Sequence, residues 1–187
     1  YTLTTIDNAP SNGLPAVVSA ITIEGNGATI QRSGAAGTPD FRLFQVTPTG
    51  ALTLRNLELR NGRAVTGGAL QNVAGTVAIQ GSEISANAAG CDGGGIASTG
   101  GTVMLEASAI HDNTAGCSGG AIFVRDGGAT LVDSQLVANV ASTGGGGGIM
   151  LFGSAISLIV RTTIAGNTAV LDGGGLLAHG GATRTTI

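Results

Sequence analysis

Residues 84–96 read ISANAAGCDGGGI, residues 110–122 IHDNTAGCSGGAI, residues 136–149 LVANVASTGGGGGI and residues 164–176 IAGNTAVLDGGGL. Each copy opens on Ile or Leu, places Asn three residues later, runs through small residues and closes a glycine run with Ile or Leu. A looser copy, LRNGRAVTGGAL, occupies residues 59–70. The opening residues Leu59, Ile84, Ile110, Leu136 and Ile164 are spaced 25, 26, 26 and 28 apart. The closing residues Leu70, Ile96, Ile122, Ile149 and Leu176 are spaced 26, 26, 27 and 27 apart. A register held over five copies marks a stacked repeat in which each copy is one structural unit.

Upstream of each opening residue the apolar side chains alternate, as in Leu52 and Leu54, Val77 and Ile79, or Val103 and Leu105. Alternation over such short spans predicts strands with one buried face. Each copy therefore holds three short strands, in the second copy at 77–79, around Ile84 and at 94–96. Gly, Asn, Asp and Ser separate them and supply turns. No copy carries a helix-period stripe, and the LxxLxLxxN phrase of a leucine-rich repeat is missing. The expected fold is all-β, a parallel β-helix (a β-solenoid) with one copy per coil. Six to seven coils at ~4.8 Å each make a rod roughly 30 Å long.

Stacking follows from the register. Ile84, Ile110, Leu136 and Ile164 are expected to form one apolar column, and Ile96, Ile122, Ile149 and Leu176 another. Asn87, Asn113, Asn139 and Asn167 should form a ladder at a turn. Asn tolerates left-handed backbone, and its amide can bond the coils above and below. The glycine runs suit sharp corners with positive φ and close backbone approach.

The N-terminal third is a degenerate version. Ile21 and Ile23 are followed by a Gly-Asn-Gly turn and Ile30, and FRLFQV offers Phe44 and Val46 inward. Residues 7–15, DNAPSNGLP, read as a surface loop, and YTLTTI as the tail of an earlier coil. Residues 1–187 are thus one β-helix domain, irregular over 1–50 and regular over 51–182. The chain starts at Tyr1 and stops at Ile187 in mid-pattern, which reads as an excerpt of a longer protein.

The phrases LTTIDNAPSNGLP, AVVSAITIEGNGATIQRS, FRLFQV and GALTLRNLELRNG, followed by the GGGI repeats, resemble the right-handed parallel β-helix proteins of bacterial surfaces. These include large secreted proteins with an N-terminal CSLREA motif and the chlamydial-type polymorphic outer-membrane proteins with their GGAI phrase. The chain has GGAI once, at 119–122, and lacks the CSLREA motif. The resemblance covers nearly the whole chain. It implies a secreted or surface-attached passenger, extracellular in location.

Composition narrows the partners. Charged residues are 10% and aromatics 3%, there is no Trp, and the net charge is −3. All eight basic residues are Arg. No nucleic-acid footprint is expected, and no apolar run approaches a membrane span. Glycoside hydrolysis needs two carboxylates flanking the bond. The candidates are Asp92, Asp112, Asp172, Glu83 and Glu106. Glu58 and Glu83 each precede an opening residue by one and should stack outward, where like charges repel. Polygalacturonase phrases (NTD, DD, GHG, RIK) are absent. His111 and Asp112 are neighbours in a strand or turn and are expected to point apart. His179 lies far along the rod, so a zinc site is not built. The glycine runs match neither a phosphate cradle nor a calcium nonapeptide. Among the aromatics, Phe41 and Phe44 lie near the long loop. Phe123 should point outward after inward Ile122, and Phe152 lies three past Ile149.

Cys91 and Cys117 are 26 residues apart at the same place in the phrase. Stacked coils bring them within disulfide reach. An oxidising exterior favours the bond, and two stacked free thiols are the other reading. No cofactor and no metal are expected. The first function class is a non-catalytic structural or adhesive module, with end-to-end self-association and contacts to surfaces or polysaccharides. The second is a carbohydrate-active enzyme whose site lies partly outside these residues. Ice binding would want a regular Thr ladder, and Thr is scattered.

Overall fold

The computed structural model describes residues 1–7, 11–153 and 156–180, and the backbone of the strand Arg184–Thr186. Residues 8–10 of the expected surface loop lie outside the described residues. Among the described residues all regular structure is β-strand, and every strand pair is parallel. The chain winds as a solenoid of about 26 residues per coil, with no helix among the described residues.

A regular coil carries four strands where the sequence predicts three. In the second copy they are Thr76–Gln80, Glu83–Ser85, Ala88–Ala89 and Ile96–Thr99. Ala88–Ala89 gives no alternation to read, because two small residues distinguish no face. The last strand starts at Ile96, and the glycines before it form a corner. Coil upon coil, these strands build three sheets. One is bent: Thr76–Gln80 and Glu83–Ser85 both pair with the single strand Ala51–Arg60. A left-handed residue marks the bend in each coil, at Asn56, Gly81, Ala107, Asp133 and Arg161. Ala20–Arg32 bends in the same way at the expected Gly-Asn-Gly turn, where Asn26 and Gly27 have φ of 49° and 81° and the register shifts between Glu24 and Ala28, although the strand continues through it. Thr2–Leu3 adds to it in parallel.

The interior is a set of columns. Ile84 pairs with Ile110, Ile110 with Leu136 and Leu136 with Ile164. Ile96, Ile122, Ile149 and Leu176 pair likewise. All are buried except Ile164 and Leu176, which are partly buried. Phe41, Leu43, Phe44 and Val46 fill the first coils. At ~25 cal/mol per Å² of apolar surface, each buried Ile or Leu contributes about 1.5–3 kcal/mol relative to exposure.

The Asn column is an internal ladder. The Asn87 amide donates to Asn113 Oδ1 at 3.0 Å, Asn113 to Asn139 at 3.0 Å and Asn139 to Asn167 at 2.9 Å. The backbone N–H groups of Asn87, Asn113 and Asn139 donate to the same oxygens. The left-handed residue is not Asn itself. It is the residue before it: Ala86, Asp112, Ala138 and Gly166. In the first copy Asn61 takes that place, and the Gly62 N–H donates to Asn87 Oδ1 at 2.8 Å. A serine ladder, unforeseen from sequence, lines the bend. Ser108 Oγ accepts from the Ser82 N–H at 3.1 Å, and Ser134 Oγ from the Ser108 N–H at 3.3 Å.

Two glycines show why the corner is glycine-rich. Gly93 has φ of 69°. A Cβ on Gly94 would sit 2.6 Å from the Thr114 carbonyl carbon in the next coil. Both positions reject a side chain, one on conformation and one on space.

Candidate functional site

A groove of about 580 Å³ runs along the rod over the bend. Its floor is small or backbone, with Gly27, Gly81, Ala107 and Ala109. Its chemistry comes from Glu58, Glu83, Asp133 and Gln135. Glu58 and Glu83 face outward in register on paired strands. The repeat dictates this, since both occupy the position before an inward apolar residue.

Each carboxylate has partners. Thr29 Oγ1 donates to Glu58 Oε2 at 2.7 Å, Ser85 Oγ to Glu58 Oε1 at 3.3 Å, and Arg60 lies 3.7 Å away. Arg161 grips Asp133 with two bonds of 2.6 and 2.8 Å and holds its carboxyl below the ordinary range. Glu83 Oε1 lies 2.9 Å from His111 Nε2, while His111 Nδ1 lies 2.7 Å from Asp112 Oδ2. His111 and Asp112 therefore do not point apart. The expectation of divergence assumed ordinary strand geometry. Asp112 has φ of 55°, and that left-handed turn swings its carboxylate back beside the ring.

Carboxylates only accept hydrogen bonds, so two such contacts call for a ring with both nitrogens protonated. Burial pulls the His111 pKa down, but the hydrogen bonds and charges of Asp112 and Glu83 outweigh it. The ring titrates above its ordinary 6.5. The result is a carboxylate–imidazolium–carboxylate clamp joining two coils at the groove wall.

The other candidates stay apart. Asp92 lies at a glycine corner. Burial pushes its carboxyl up, against the Ser118 N–H and the charge of Arg125. Asp172 holds the same place in its copy, near the far end of the rod, and is exposed. Glu106 accepts from the Gln80 amide at 2.9 Å on a different outer face. Cys91 and Cys117 form a disulfide with a Cα separation of 4.4 Å. With Asp92 they are the one group of potential metal donors among the described residues. Both sulfurs are spent on each other, so no thiolate remains to ligate.

The aromatics divide. Phe41 and Phe44 are core. Phe123 is 5% exposed and does not reach solvent as expected. Its row, with Ala97 and Met150, is buried because the glycine corner folds back over it. A Cβ on Gly119 would lie 2.9 Å from the Phe123 Cα. Phe152 is half-exposed and stacks on exposed His179, with ring centroids 5.7 Å apart.

The parallel coils, the columns and the repeat period define the architecture, and comparison with protein families agrees. A family described as a right handed beta helix region matches residues 43–187. The chain belongs to the right-handed β-helix family. Comparison with curated proteins and with solved structures gave no match. Right-handed β-helices carry many functions, so the family names a scaffold and leaves the site to be argued from its residues. No helix among the described residues is long and apolar enough to cross a membrane.

Proposed function

We propose that this β-helix is a non-catalytic structural and adhesive module of a secreted or cell-surface bacterial protein. The observation that carries the reading is the state of the groove. Glu58, Glu83 and Asp133 are each engaged by hydroxyl, imidazole or guanidinium partners from neighbouring coils. They act as coil-to-coil ties. The buried polar residues do the same work, as the Asn and Ser ladders run along the rod axis. The Cys91–Cys117 disulfide fits an oxidising compartment. Outward side chains are mostly small and uncharged, which suits a spacer that presents a surface.

One observation favours a second reading. Glu58 and Glu83 lie in one column on a groove, the kind of carboxylate pair a glycoside hydrolase uses. The two readings separate in a cleavage assay on pectin, alginate, glycosaminoglycan and neutral glucans. The structural reading expects no turnover from the purified chain. Cleavage that disappears in both Glu58→Gln and Glu83→Gln would replace it with the hydrolase.

A further inference from the structure

Cysteine stands four residues after the ladder Asn in two consecutive coils, at Cys91 and Cys117, where the later copies have Thr143 and Leu171. Asp92 follows the first of them at the glycine corner. One donor atom each from Cys91, Asp92 and Cys117 lies within 4.8 Å of the other two, and all three side chains are half-buried. In the disulfide the sulfurs carry no charge to offer a cation. Once reduced, they become two soft thiolates beside a carboxylate.

The fold holds these donors together without the sulfur–sulfur bond. The Cys91 N–H donates to the Val65 carbonyl at 2.7 Å, Cys117 to Cys91 at 2.9 Å and Gly144 to Cys117 at 2.9 Å. This backbone ladder keeps the two cysteines in register, with a Cα separation of 4.4 Å. Asp92 Oδ1 accepts from the Ser118 N–H at 3.2 Å, which turns the carboxylate toward the coil that carries Cys117. Its other oxygen receives no hydrogen bond among the described residues. A tetrahedral zinc ion holds sulfur at ~2.3 Å and oxygen at ~2.0 Å, so its donors lie roughly 3.5–3.8 Å from one another. The span already set by the coils accommodates that figure.

We propose that Cys91, Cys117 and Asp92 form a zinc site that exists when the disulfide is reduced and is abolished when it closes. A dithiol reductant supplies the two electrons. Its thiolate attacks one cysteine sulfur and forms a mixed disulfide. Its second thiol then displaces the other end, leaving two protein thiols and the oxidised reductant. Zinc binds as those thiols give up two protons to solvent. Three protein donors leave the fourth position to water. Two thiolates select zinc over calcium and magnesium, which take oxygen donors. By linkage, bound zinc also favours the reduced pair over the disulfide. The site goes beyond the adhesive reading and is measured on the purified rod, so neither adhesion nor cleavage enters its test.

The test is anaerobic titration with Co²⁺ as a spectroscopic probe, followed by displacement with Zn²⁺. It compares the disulfide form with chain reduced by a dithiol and freed of reductant. The reduced chain is expected to bind one ion, with a thiolate-to-cobalt charge-transfer band and the visible spectrum of a tetrahedral ion. The disulfide form should show neither. Asp92→Asn should weaken binding by about tenfold or more, since a direct ligand is worth at least as much as an outer-shell partner. Cys117→Ser should remove the tetrahedral spectrum. Asp172→Asn changes the equivalent Asp of a coil without cysteine and should leave affinity unchanged. Zinc should also slow reoxidation of the reduced parent by glutathione disulfide. Circular dichroism identical to the parent shows that each variant is folded. The proposal is overturned if the reduced chain binds no cobalt, or if both redox forms bind it equally. An unchanged affinity in Asp92→Asn, or one ion shared by two chains, would overturn it as well.

Discussion

A left-handed residue precedes the Asn ladder in every regular coil, and its identity varies: Ala86, Asp112, Ala138 and Gly166. A side chain there costs roughly 1–2 kcal/mol that glycine avoids, less the glycine's extra freedom when unfolded. Ala86 has φ of 54° and is exposed. Ala86→Gly should therefore stabilise the rod by about 1 kcal/mol, the reverse of the usual glycine effect. Thermal unfolding checks it, and a lower midpoint would contradict it. Asp112 uses the same backbone state to turn its carboxylate onto His111. The folded pKa of His111 lies above its ordinary 6.5. The clamp's contribution is thus fully present below that value and is lost as pH rises through the folded pKa. Stability should fall across that window, and His111→Gln should flatten the fall. An unchanged profile in His111→Gln would mean that Glu83 and Asp112 do not engage the ring. Neither contact was legible in the sequence. Adjacent residues diverge in a strand, and nothing in HDN announces a positive φ at Asp112.

Among the elements, columns and ladders were the readable part. Their residues recur at the coil period, so equivalent positions must stack. What stacked residues do inside a coil was less readable. The serine ladder has the same spacing as the Asn ladder, with Ser82, Ser108, Ser134 and then Thr162 two residues before each opening apolar residue. Serine in a break between two strands reads as a turn residue, which hides its role as an acceptor for buried N–H groups. Ala51–Arg60 reads as two strands and is one, since Asn56 bends it without breaking the pairing. Alternation points Phe123 outward, but alternation says nothing of a corner that folds over the strand. The Asn ladder carries the clearest energetic prediction. Asn113→Ala removes the acceptor of the Asn87 N–H and the donor to the Ile84 and His111 carbonyls. The first two groups are buried and the third partly so, and leaving them unmet should cost about 3 kcal/mol. Denaturant unfolding measures this, and a loss under about 1 kcal/mol would show that water replaces the amide.

At the scale of the whole molecule, each coil touches chiefly its neighbours, so stability is a sum of coil and interface contributions. Near-identical coils invite slipped registers. The irregular first coils and the uneven spacings of 25 to 28 residues work against slippage. The groove belongs to this stacking, because its carboxylates tie one coil to the next. A carboxylate that serves catalysis is commonly a cost to stability, and its removal often stabilises the fold. A carboxylate that serves as a tie does the opposite. The direct measurement is the thermal unfolding of Glu83→Gln against the parent at a pH just below 6.5, where His111 is charged. A partly exposed ion pair is worth roughly 0.5–1 kcal/mol, so the midpoint should drop by that equivalent. A midpoint that rises, together with polysaccharide cleavage in the parent and none in the variant, would contradict the structural reading of the groove.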